Sequence, residues 1–386
     1  MAFNQTLFRS PNRGGRMLSE YPDGDAPSLE QGGDGLVWEE FDTNYQINPA
    51  YVDTPDNKQK FLWSQYELGD LTQQTTDSGD VSISQTDPYS GSNCLFADVN
   101  PEGGLYAQLY TYDRDVFHWL YLKEVIYNEL GFSGSWTNNL YNRMQFYIKT
   151  TPQLQTPLTG QFNGAIGTYL RATTASRGDQ ASNDASGTRM HYYHLINLPY
   201  LNGRWLKVVM DENPTHQQTE NGNTEQPPIS NPSNENLNMF DIMTRFYIDI
   251  GGQGNQYIVD DGSNTQWFLD KFTLYNESRQ ENETQVYTMC GGYDPLTNRL
   301  YVSWNRNKDE NDTVHEVRYA FSDIHDIGWD AATVAPNGSV TRLGFQGYNC
   351  MVYDNSTISM GANTSIYVAV KPTDSTLFKQ IQLDLT

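Results

Sequence analysis

Apolar and polar residues alternate along much of this chain in short bursts. Each burst is closed by Gly, Asn, Asp or Pro, which is the signature of strands with one buried face. Leu36–Asp42 (L-V-W-E-E-F-D) opens the series, and Cys94–Val99, Arg143–Thr150, Ile166–Thr173, Thr244–Ile250 and Trp267–Tyr275 continue it. After a polar connector at Asn276–Glu283 the texture returns. It runs through Gln285–Met289, Leu300–Trp304, Glu316–Ser322, Tyr348–Tyr353, Ile366–Pro372 and Phe378–Leu385. The clearest helical candidate, Asp113–Tyr127, reads almost as well as a strand. The pattern predicts an all-β chain.

The densest stretch is Arg189–Gln217, which holds His191, His194 and His216 beside Tyr192, Tyr193, Tyr200 and Trp205. Asn202-Gly203 is a strong type I′ turn signal, because both central positions of that turn need positive φ. Arg189–Leu198 and Arg204–Met210 are therefore expected to pair as a hairpin. Alternation on a strand sends His191 and His194 to opposite faces, so the two do not share a metal. The hairpin then has one core face and one polar-aromatic exterior.

Three segments lie outside the alternating pattern. Residues 1–35 are polar and turn-rich, with P-D-G-D-A-P and Q-G-G-D-G, and show no hydrophobic period. Such a segment orders only against a neighbour, so it is expected to be an assembly arm that binds further copies or other structural subunits. Residues 211–238 carry four prolines and almost nothing apolar, which predicts a long functional or partner-packed loop. Asn305–Glu316 places oxygen side chains at the spacing of a calcium loop, but Glu310 occupies the position that needs glycine. A solvated hairpin loop between Trp304 and Val317 is the preferred reading there.

Composition sharpens the class. The 386 residues include 26 Tyr and 31 Gly, with 13% aromatic and only 18% charged residues, which fits sheets joined by many turns. A formal net charge of -23 repels phosphate backbones and anionic membranes, so a nucleic-acid partner is excluded. No apolar run approaches the ~18 residues of a membrane span. The N-terminus lacks the apolar core of a secretory leader. That fits either a trimmed secreted chain or a protein that leaves its cell by another route, such as a virion component. Met1 favours the second, and the expected location is extracellular or at a virion surface. Cys94, Cys290 and Cys350 form no CxxC pair. A Cys290–Cys350 bridge is conceivable, with two buried free thiols the preferred alternative. Sequons at Asn4, Asn276, Asn282, Asn311, Asn337, Asn355 and Asn363 crowd the last third, which suggests an exposed surface there.

Three motifs carry a resemblance. They are W-E-E-F-D at Trp38–Asp42, S-G-S-N-C-L-F-A-D-V at Ser90–Val99 and W-F-L-D-K-F-T-L-Y at Trp267–Tyr275. Residues 36–278 thereby resemble a jelly-roll (concanavalin-like) β-sandwich of the carbohydrate-binding-module and polysaccharide-lyase kind. The resemblance implies a structural calcium shared by acids of the first and last strands, which here are Glu40 or Asp42 and Asp270. Residues 279–386, with about seven short strands, are similar to Ig or fibronectin-III modules.

Sugar rings need flat aromatic faces with polar neighbours, because their C–H faces are apolar and their rims hydroxylated. Trp136, Tyr141, Tyr193, Trp205 and His191 are the candidate glycan contacts. Tyr193, His191, Arg171 and Arg189 could be assembled into a lyase centre, yet the alginate-lyase motifs R-x-E-x-R and Q-I-H are missing. The glucanase pattern E-x-D-x-x-E starts at Glu40 but meets Tyr45 at its last position. A glycosidase needs two carboxylates about 5 to 9.5 Å apart, and 47 acids leave the pair undetermined. The leading expectation is a structural and adhesive surface protein whose jelly roll binds glycans. A polysaccharide-degrading enzyme is the alternative, and a free-standing lectin the third reading.

Overall fold

In the computed structural model the alternating segments pair into three antiparallel sheets. The largest has nine strands. Its order is β17 (Tyr348–Asp354), β14 (Arg299–Arg306), β13 (Val286–Asp294), β9 (Leu206–Asp211), β6 (Arg143–Thr150), β12 (Thr265–Tyr275), β4 (Cys94–Val99) and β3 (Val81–Ser84). β1 (Leu36–Glu39) pairs further along the same edge of β12 as β4. A six-stranded sheet runs β10 (His216–Thr219), β8 (Arg189–Asn197), β7 (Ala165–Thr173), β11 (Met243–Ile250), β5 (Gly103–Leu109) and β2 (Phe61–Glu67). A four-stranded sheet runs β16 (Thr333–Thr341), β15 (Val314–Ala320), β18 (Ser365–Pro372) and β19 (Lys379–Asp384). One helical turn, α1 (Ile324–Ile327), and a 3-10 turn at Trp329–Ala331 follow β15. The structure describes these elements, residues 85–93 and most of 203–211, 286–306 and 314–386, plus Phe41, Leu201, Glu277 and Thr284. Side chains are described only in part of that set, and in none of the six-stranded sheet.

The fold is an all-β sandwich, and the nine-stranded sheet is its shared layer. On β9 the sequence L-K-V-V-M-D alternates between two environments. Leu206, Val208 and Met210 join Phe146, Ile148, Leu269, Trp267, Leu95 and Ala97 in a buried apolar face. On the opposite face, Val209 belongs to a second core with Met289, Val302 and Trp304 of β13 and β14, and with Val317, Val368, Val370, Ile381 and Leu383 of the four-stranded sheet. The four-stranded sheet thus closes over the β13–β14 half of that face. Gly291 permits the approach: a Cβ there would stand 2.7 Å from Leu383 Cδ1 and 2.7 Å from the Tyr301 carbonyl oxygen.

A buried ion cluster sits on the outer face of the nine-stranded sheet. Arg143 on β6 places Nε 2.7 Å from Asp211 Oδ1 on β9, and Lys379 on β19 bonds the same oxygen. All three side chains are fully buried. Nearby in the second core, Trp304 Nε1 donates to His315 Nδ1 at 2.9 Å, which links β14 to β15 across the sandwich.

Several sequence expectations change. β8 and the strand after Asn202-Gly203 do not pair as a hairpin: β8 lies in the six-stranded sheet and β9 in the nine-stranded sheet. The turn itself exists, with Gly203 at φ 72° and Arg204 N–H donating to Leu201 O at 2.8 Å. It is a corner between layers because the Leu206/Val208/Met210 row finds its partners on β6 and β13. Part of the expected 211–238 loop is strand β10, which pairs with β8. β14 and β15 are not hairpin neighbours in one sheet but face each other through Trp304 and His315. Cys290 is a buried free thiol. Cys290 and Cys350 both stand opposite Ser303, two strands apart, a separation of about 9–10 Å that no disulfide spans. Residues 1–35 and 113–127, and 307–313 of the calcium-like loop, lie outside the described residues.

Two substitutions test this layout. Asp211→Ala removes the anion shared by two buried cations and should cost about 3–5 kcal/mol in urea unfolding. Gly291→Ala forces Leu383 and the Tyr301 carbonyl apart and should cost about 1–3 kcal/mol in the same measurement.

Candidate functional site

The outer face of the nine-stranded sheet is apolar over β13 and β14 but becomes aromatic and charged over β9, β6 and β12. The ladder puts Asp270 (β12) opposite Tyr147 (β6), and Tyr147 opposite Lys207 (β9). One row further lie Phe268 and Lys149, also directly opposed. These residues share a face because side chains two apart on a strand point the same way.

A bulge in β12 adds one more group to that face. Its register with β6 shifts between Asp270 and Thr273, and Lys271 takes φ 47°. Phe272 turns inward instead, stacking on Phe146 at 4.8 Å and meeting Phe41 edge-on at 6.2 Å. Lys271, freed from strict alternation, reaches over the Tyr89 ring at 5.9 Å. Asp270 secures the arrangement. Its Oδ1 accepts from Lys271 N–H at 2.7 Å, and its Oδ2 accepts from Ser90 N–H at 2.9 Å. The fully buried Asp270 carboxylate thus ties the 85–93 loop to the bulge.

That loop delivers Tyr89 onto the sheet. Its ring stacks on Tyr147 with centroids 3.4 Å apart, and Trp205 stands against it at 6.2 Å and 71°. Tyr89 Oη donates to Asp384 Oδ2 on β19 at 2.8 Å, so one residue spans the loop, the central sheet and the C-terminal sheet. Asp87, at φ 52°, takes Lys149 Nζ on Oδ2 at 3.0 Å and on its carbonyl oxygen at 3.3 Å. The same carbonyl accepts from Trp205 Nε1 at 3.2 Å. Lys149 Nζ also lies 4.8 Å from the Trp205 ring centre and 4.4 Å from that of Phe268. Tyr89, Trp205 and Phe268 are half-buried. Two non-glycine residues at positive φ, Asp87 and Lys271, flank this one cluster, and such backbone concentrates where side chains are aimed for binding.

Lys207 is the anomalous member. Its side chain is only 6% exposed, and it makes no hydrogen bond or ion pair among the described residues. Burial pulls its ammonium down to about 8; Asp384 opposes that fall and Lys271 adds to it. Burial also holds the Tyr89 and Tyr147 hydroxyls well above their ordinary range, so both stay protonated. The Cys94 thiol is pushed up to about 11 by burial and bonds the Ser84 and Thr86 carbonyls, which makes it inert.

Of the sequence candidates, Trp205 stands in this cluster and Asp270 beneath it. His191 and Tyr193 sit on β8 in the other sheet, His191 opposite Arg171 and Gln218, and Tyr193 opposite His216 and Tyr169. They are therefore not grouped with Trp205. Trp136, Tyr141, Glu40 and Asp42 lie outside the described residues, so the calcium set is described only at Asp270. Among the described residues no three His, Cys, Asp or Glu side chains form a metal-sized group. Sequence reasoning missed Tyr89, Tyr147, Lys149, Lys207 and Lys271. The available signal was a lysine at alternating positions in otherwise apolar strands, as in F-Y-I-K and W-L-K-V-V.

No family model matches the chain, and no curated protein does. Solved structures similar to it include the CBM22-1 xylan-binding domain of Xyn10C from Paenibacillus barcinonensis, at 12% identity and TM-score 0.28, covering 64% of this chain and 97% of that one. A second is the glycoside hydrolase domain of Endo-D from Streptococcus pneumoniae R6, at 10% identity and TM-score 0.24, covering 84% and 37%. A third is a β-1,2-glucanase from Parabacteroides distasonis, at 10% identity and TM-score 0.29, covering 91% and 39%. The chain spans less than half the length of the last two. At these scores the likenesses carry no functional argument, which rests on the cluster itself.

The Lys207 charge makes a stability prediction. A lysine whose folded pKa lies below its unfolded value destabilises the fold while protonated, and the penalty lifts as pH rises from about 8 towards its ordinary value of 10.5. Lys207→Met should therefore raise the unfolding free energy at neutral pH by about 1–3 kcal/mol. The gain over the parent should shrink between pH 8 and pH 10 in denaturant titrations.

Proposed function

We propose that this chain binds carbohydrate on the outer face of its nine-stranded sheet, through Tyr89, Trp205 and the polar groups around them. The observation that carries the reading is the pair of half-buried aromatic residues, Tyr89 and Trp205, with rings set at 71° and centres 6.2 Å apart. A pyranose presents apolar C–H faces and a hydroxylated rim, so it stacks on one ring while its edge meets the other. Lys149, Asp87 and Asp384 supply donors and acceptors at the margin of the rings for the rim hydroxyls. The rings are held by hydrogen bonds and stacking before any ligand arrives, which reduces the ordering cost of binding.

The reading is binding and not cleavage because of what the acids do. Asp270 is buried and engaged by two backbone N–H groups, and Asp87 neutralises Lys149. Both carboxylates are thus engaged in holding the loop, the bulge and a lysine. The adhesive role at an extracellular or virion surface, and the joining of subunits through residues 1–35, belong to the same proposal and rest on the sequence pattern.

Trp205→Ala and Tyr89→Phe separate the parts of the site. Trp205→Ala should weaken binding to an immobilised neutral-glycan panel at least about tenfold, or about 1.4 kcal/mol. Tyr89→Phe keeps the ring and loses the hydroxyl's bonds to Asp384 and Tyr147, so it should bind within a few-fold of the parent. An unchanged panel profile for Trp205→Ala, with the fold intact by circular dichroism, rejects the site.

A further inference from the structure

Lys207 indicates which class of carbohydrate the cluster takes, an inference that rests on the glycan reading above. A buried ammonium without a counter-ion costs several kcal/mol and is normally paired or removed. Here it is neither. Lys149, on the neighbouring strand, is neutralised by Asp87 at 3.0 Å. Lys207 makes no such contact among the described residues. It projects from the same face as Trp205, two residues earlier on the chain, and stands directly opposite Tyr147, whose ring carries Tyr89.

We infer that the site is built for an acidic saccharide, with a uronate ring against Tyr89 and Trp205 and its carboxylate completing the charge of Lys207. The chemistry fits the ring geometry. The carboxylate of a uronic acid is attached directly to the pyranose ring, so a sugar stacked on an aromatic holds its charge a few bonds from the stacking face. A charge-assisted bond between that carboxylate and the ammonium is stronger than a neutral hydrogen bond, the more so in a partly desolvated site. The overall charge of -23 works against long-range attraction of polyanions. The preference is therefore local, made by the ring and the amine together and not by a basic surface. The other charged or titratable groups around Lys207 are Asp384 on β19, Lys271 on β12, and the tyrosines Tyr147 on β6 and Tyr89 on the loop. Asp384 is already held by the Tyr89 hydroxyl.

The test compares a tetragalacturonate with its methyl ester by isothermal titration against the full chain. The parent protein should bind the acid at least about tenfold more tightly than the ester, a difference of about 1.4 kcal/mol. Lys207→Met should bind both equally, at the ester's affinity, and Lys207→Arg should keep a preference for the acid. The preference should also fade as pH rises above about 8, where Lys207 gives up its proton while the two tyrosines remain neutral. Equal binding of both ligands by the parent, lost in Trp205→Ala, overturns the acid preference and leaves the glycan reading standing. A preference that persists unchanged in Lys207→Met overturns the assignment to this lysine. Binding of neither ligand, with none on a neutral-glycan panel, removes the glycan reading and this inference with it.

Discussion

One buried carboxylate joins the two halves of this protein. Asp211 ends β9 with its side chain turned to the outer face of the central sheet, where Arg143 comes from the adjacent strand and Lys379 from the sheet above. Such an ion cluster adds little net stability compared with apolar residues of the same shape, because three charges must first be stripped of water. Its contribution is to register. A shifted placement of β19 over β9 and β6 would take the lysine away from that oxygen. The observed placement sets Leu383 into the space above Gly291 and carries Asp384 to the hydroxyl of Tyr89. The candidate site is therefore completed by a strand that the chain contributes near its very end.

The central sheet makes both faces work. Its inner face is a plain apolar layer. Its outer face divides along β9, where Lys207, Val209 and Asp211 are successive outward residues with three different tasks. Val209 packs into the second core, Asp211 holds the ions, and Lys207 faces the aromatic cluster. Two departures from regular backbone, at Asp87 and Lys271, bring a loop and an extra side chain onto that third region. The strain at those residues is offset by Asp270, which bonds the loop and the bulge at once.

Strand positions were legible because alternation is a local property. Cys94–Val99 and Arg143–Thr150 are strands with the bounds that the pattern predicts, and Ile366–Pro372 differs by one residue. β2, β5 and β16 escaped notice: β5 opens on two glycines, and β16 carries Pro336, Asn337 and Gly338 in mid-strand, residues that read as a turn. Pairing was far less legible, since partner choice depends on burial that no single segment encodes. A bond from Arg204 N–H to Leu201 O closes a turn at the Asn202-Gly203 signal, yet a turn fixes only a change of direction. Whether the chain returns along its own sheet or steps to the next is decided by where Leu206, Val208 and Met210 find apolar neighbours. Trp205 was visible as a ring with polar company. Its true companions, Tyr89 and Tyr147, lie 116 and 58 positions away along the chain and meet it only through sheet order.

The seam between β9 and β13 has a practical side. Four residue pairs, Thr288–Met210 to Gly291–Lys207, bind segments that a scheme of separate modules would assign to different units. A chain severed in the connector before β13 would leave the Leu206–Asp211 strand with a full row of unsatisfied amides and carbonyls beside apolar residues. Raw edges of that kind recruit other molecules. Truncation there would trade a folded neighbour for sticky, self-associating fragments, so this protein is best handled and engineered as an undivided whole.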